Sequence, residues 1–139
     1  DVATATSITL AADTISVINY TGAAAATCTL PAATAGTVVV YAQAVDTTGG
    51  TATLVFDAAG SDVWATGSVI ESRGSSEVTF DTSAAGETKL TFTPANATTN
   101  LLTVGGQIAF ICYETGTWHI ATSLARETTQ VKGAFAFAA

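Results

Sequence analysis

The chain has no methionine, one histidine, two cysteines and two prolines, and only four of its 139 residues are basic. Each shortage counts against a class of function. Phosphate contacts need clustered lysine and arginine, so Arg73, Lys89, Arg126 and Lys132 argue against a nucleic-acid partner. With a net charge of −7 they argue equally against an anionic membrane surface. No apolar run approaches the roughly 18 residues of a spanning helix. His119 and two distant cysteines lack metal-ligand spacing, and no stretch has the alternating acids of a calcium loop. Gly49-Gly50 and Gly105-Gly106 lack the lysine and strand–helix setting of a phosphate loop. No cofactor is expected. The missing methionine before Asp1 fits an upstream segment removed as a signal peptide or an assembly-linked propeptide.

What is present is threonine and alanine, each about a fifth of the chain. Threonine suits the wet face of a pleated sheet, and alanine suits close approach of sheets or subunits. Charged residues make up 11%, less than half the usual share of about 25%. A chain this poor in charge, with a mean hydropathy of +0.44, suggests a surface covered by neighbours.

Read in order, β-rich runs recur with turn signals every 8–12 residues or so, a spacing typical of a sandwich or barrel. No window carries a helical repeat. Residues 5–10 and 14–20 read as two strands, or one broken at Ala11-Ala12-Asp13. Residues 27–30 form a strand stopped by Pro31. Residues 37–45 are apolar on both faces, which predicts a central strand covered on both sides, with 51–56 returning as its partner. Residues 77–81 and 87–93 predict a hairpin. The clearest hairpin is 107–123, where Ile108, Phe110 and Cys112 share one face and Gly116 serves the turn. The fold class is therefore all-β: an antiparallel, jelly-roll-like sandwich or barrel of about ten strands with extended terminal arms. Residues 1–125 form the domain and 126–139 a C-terminal arm.

Candidate chemistry is sparse. His119 would need an activated nucleophile beside it, and Cys112 across the hairpin points inward instead. Asp46, Asp57, Asp62 and Asp81 stand at predicted turns, which explains each without catalysis. The chain is not expected to be an enzyme. Cys28 and Cys112 are two buried thiols or, outside a reducing compartment, a candidate disulfide. Trp64 is a candidate ligand platform, although packing also explains a tryptophan. In the arm, Phe135 and Phe137 lie two apart and put both rings on one side, so with Val131 they are expected to contact a neighbouring subunit. The sequons at Asn19 and Asn96 matter only in a eukaryotic secretory setting.

Three stretches resemble small β-domains of tailed-bacteriophage virions, especially capsid decoration (cement) proteins. They are Ile8-Thr-Leu-Ala-Ala-Asp13, Cys28-Thr-Leu-Pro-Ala-Ala-Thr-Ala-Gly36 and Ile111-Cys-Tyr-Glu-Thr-Gly-Thr-Trp-His-Ile120. The resemblance implies a homo-oligomer, with a trimer favoured, seated on the outside of a shell of major capsid protein. Two other expectations belong to different classes. One is a fibre or cell-surface adhesion module that binds carbohydrate. The other is an extracellular fibre subunit that donates its arm head to tail.

Overall fold

Branched side chains in period-two runs favour extended backbone, and the apolar face of each run needs a second layer to bury it. In the computed structural model this yields two sheets packed on each other. The described residues are 2–3, 6–47, 52–73, 78–93, 103–126 and 135–139, and no helix occurs among them. The larger sheet runs β1 (Val2–Ala3), β3 (Thr14–Ile18), β5 (Val38–Gln43), β11 (Gln107–Glu114), β12 (Thr117–Arg126), β8 (Val69–Arg73), β9 (Val78–Thr82). A short β7 (Val63–Trp64) also pairs with β12. The smaller sheet runs β13 (Phe135–Ala138), β10 (Lys89–Phe92), β6 (Leu54–Asp57), β4 (Ala26–Thr29), β2 (Ser7–Thr9).

The sandwich is as expected, but neither sheet closes into a barrel and both are mixed rather than antiparallel. The first six strands alternate between the sheets, so each of the first four pairs in parallel with the strand two places on. Val2 aligns with Val17 and Thr14 with Val39 in one sheet; Ser7 aligns with Thr27 and Ala26 with Leu54 in the other. The first half is thus a flattened coil, and antiparallel pairings close the second half.

Two expected pairings fail for this reason. The strand 51–56 does not return beside β5; β6 crosses to the other sheet and pairs with β4 and β10. The hairpin over 77–93 does not form either. β9 joins β8 in the large sheet, while Leu90 and Phe92 of β10 align with Phe56 and Leu54 in the small one. Ser83 pins the crossing point. Its buried hydroxyl donates to the Ala65 carbonyl at 2.5 Å and accepts the Ser68 N–H at 3.0 Å.

The 107–123 hairpin forms as predicted. Ile108, Phe110, Cys112 and Trp118 all point into the core, and Gly116 takes φ 90°, which a side chain would resist. Across the core, Tyr41, Phe56, Phe110, Trp64 and Phe137 form a chain of ring contacts at 4.9–5.8 Å that ties the sheets together. Fully burying each large side chain contributes roughly 1.5–3 kcal/mol.

The C-terminal strand requires a correction. Phe135 and Phe137 do not project towards a neighbour. β13 pairs with β10 of its own chain, aligning Phe135 with Phe92 and Phe137 with Leu90. Both rings are buried, at 5% and 9% exposure. The Asp81 carboxylate accepts the Phe137 N–H at 2.8 Å, which occupies a donor on this strand. The spacing that identified a strand is correct, but the sheet it completes is its own. Val131, the Asn96 sequon and Gly49-Gly50 lie outside the described residues.

Candidate docking surface

The side chains singled out for chemistry are mostly used inside the fold. Trp64 is no ligand platform. It is 1% exposed and packs between Phe110 and Phe137, because β7 turns it inward beside Trp118. Cys28 and Cys112 are both free thiols, not a disulfide. They belong to opposite sheets, and the Cys112 thiol donates to the Glu114 carbonyl at 2.9 Å. Burial pushes the Cys28 thiol up to about 12, so it stays neutral and unreactive.

The acidic residues work as backbone clips. Asp13 accepts the Val38 N–H at 3.1 Å, Asp46 that of Val104 at 2.7 Å, Asp62 that of Ala33 at 2.7 Å, and Glu87 that of Ala84 at 2.6 Å. Such charge-assisted bonds hold turns where strands cross between sheets. Asp57 and Asp81 lie in β6 and β9 rather than in turns. Among the described residues no group of three or more His, Cys, Asp or Glu side chains could hold a metal ion.

A second polar set is interior. Tyr41 donates to the Gln43 side-chain carbonyl, whose amide donates to Tyr20 O at 2.7 Å and Val45 O at 2.6 Å. Tyr20 in turn donates to the Ala52 carbonyl. Burial raises the Tyr20 hydroxyl to about 12, and burial, helped by the nearby Cys28 and Tyr20 groups, holds the Tyr41 hydroxyl well above its usual range. These groups satisfy each other.

What remains is the outer face of the large sheet. Three aligned rows cross it. Ile15, Val40, Ala109 and Thr122 form one; Val38, Ile111 and His119 the next; Val17, Ala42 and Gln107 the third. No Asp, Glu, Lys or Arg stands in any row. β5 is central, as predicted, but among the described residues only its inner face is fully buried; Val38 and Val40 remain half-buried. Ile15 is 63% exposed, and Tyr113, at 66%, stands against His119 with ring centres 4.9 Å apart. His119 is thus an outer-face side chain packed against Tyr113. The sequence pointed to this surface through the two apolar faces of 37–45, but Ile15 and Tyr113 gave no signal of their own.

No protein-family model, curated protein or solved structure matches the chain, so its reading rests on this geometry.

Proposed function

We propose that the chain is a structural docking protein, a capsid decoration (cement) protein. It would sit on the outer surface of a tailed-phage capsid as a homo-oligomer and stabilise the shell by bridging neighbouring coat subunits. It needs neither a cofactor nor a catalytic group. The observation that supports this most is the charge-poor, half-uncovered face across β3, β5, β11 and β12. A lattice-bound protein works through flat, dry, small-residue contacts, and the acids that could have served chemistry hold turns instead.

The test is an antibody raised against the chain and applied to intact virions. Regular labelling over the capsid surface is expected, and particles lacking the chain should release their genome at lower temperature. Labelling confined to tail fibres, or absent, contradicts the proposal. The Tyr113–His119 pair supports a second reading, a carbohydrate-binding adhesion module in which Tyr113 replaces Trp64 as the stacking ring. Glycan binding lost in Tyr113→Ala would select it. The head-to-tail fibre reading loses the strand it needed, since β13 completes its own sheet.

A further inference from the structure

We infer that the outer face of the large sheet pairs with the same face of a second copy about a two-fold axis. This rests on the chain being a docking protein but not on which lattice it serves. A strand apolar on both sides is normally covered on both sides, and among the described residues only the inner side of β5 is fully buried, with Val38, Val40 and Ala42 partly exposed on the outer side.

The shape of the face identifies the occupant. Ile15 projects from it and forms one wall of a shallow, open hollow of about 300 Å³, whose other walls are Val38, Val40, Asp13 and Thr14. A knob and a hollow on one patch are the two halves of an isologous contact, because a two-fold axis puts each knob into the other's hollow.

Charge agrees with this choice. Each copy carries −7, so two copies approach with least repulsion through this face, whose three rows hold no charged side chain and whose edge carries one carboxylate, Asp13. The Asp13 carboxylate on the hollow's wall is already engaged by the Val38 N–H. A basic partner would instead be drawn to the acidic turns.

The size of the face sets the strength. Four strands spaced about 4.8 Å apart and three rows deep present a footprint of roughly 400 Å². Stable complexes bury about 800 Å² on each partner. The pair is therefore weak and reversible. The face makes dimers, and the trimer implied by the virion resemblance would need a different surface.

Sedimentation of the full chain from about 10 µM to 1 mM tests this. The mass should rise from monomer to dimer, and raising sodium chloride from about 20 to 300 mM should strengthen the pair by screening the like charges. Ile15→Lys should weaken association at least tenfold while leaving the melting temperature within 2 °C or so, because the side chain is exposed. Val40→Thr, which keeps the shape but puts a hydroxyl on the face, should weaken it several-fold. Val104→Lys, an exposed apolar position off these rows, should leave it unchanged. A monomer at every concentration, a trimer, association that weakens with salt, or association indifferent to Ile15→Lys and Val40→Thr overturns the inference. A dimer that fails to label virions would refute the capsid assignment and leave the pair standing.

Discussion

Replacing Phe137 by alanine separates a strand of the chain's own core from an arm meant for a neighbour. The ring is 9% exposed, aligned with Leu90 and 5.8 Å from the Trp64 ring. Truncating a core phenylalanine costs about 3–5 kcal/mol. β13 lies at a sheet edge, so its neighbours can relax into part of the space, and the lower end applies. For a domain of this length each kcal/mol shifts the melting temperature by about 3–4 °C, so Phe137→Ala should melt about 10 °C lower. The assay is urea unfolding at about 1 µM, dilute enough to hold the chain monomeric, followed by tryptophan fluorescence. The midpoint should fall with the slope unchanged. Ala136→Ser, at an exposed position of the same strand, should change little. A loss below about 0.5 kcal/mol for Phe137→Ala would show that the ring contributes nothing to the monomer. By the same reasoning, deleting 126–139 should destabilise the fold, whereas a subunit-bridging arm could be removed without harm.

Three further outcomes follow from particular contacts. Asp81→Ala removes the acceptor of the Phe137 N–H and should cost about 1–2 kcal/mol in the same urea assay; an unchanged midpoint would mean that water replaces the carboxylate at no cost. Trp64→Ala should cost about 3–5 kcal/mol, and calorimetry that finds the variant as stable as the parent would contradict its burial. Burial lifts the Cys28 thiol from 9.0 and the Tyr20 hydroxyl from 10.0 to about 12 each, so above pH 9 the native chain keeps protons that the unfolded chain has lost. That stabilisation is complete below pH 9 and declines as pH rises towards 12, by about 1.4 kcal/mol per unit for each proton retained. Urea midpoints that stay level from pH 8 to 11 would refute it.

The strands themselves were legible because inward and outward residues alternate. Ile108, Phe110 and Cys112 against Trp118 are placed as their spacing demands, and Pro31 ends its strand as its missing donor requires. Apart from the 107–123 hairpin, which strands pair was not legible. A turn that folds back within a sheet and one that crosses between sheets use the same small and polar residues. Ala11-Ala12-Asp13 crosses because Asp13 takes φ 54° and exchanges bonds with Val38. Residues 83–88 cross because Ser83 finds partners at Ala65 and Ser68. Those partners lie far away in sequence, so no local pattern reveals them. The tail shows the same limit: Phe135 and Phe137 announce an extended strand but not whose sheet it completes. At the surface, the double-sided apolarity of 37–45 was visible, yet only the tertiary fold reveals that one side is left open.

Hydroxyl-radical footprinting of the chain free in dilute solution and then in its native assembled particle tests the docking face most directly. Ile15, Val40 and Tyr113 should be strongly protected on assembly, while Val104, off the face, reacts equally in both states. Unaltered reactivity at Ile15 and Tyr113, with protection appearing only on the acidic turns, would contradict the account.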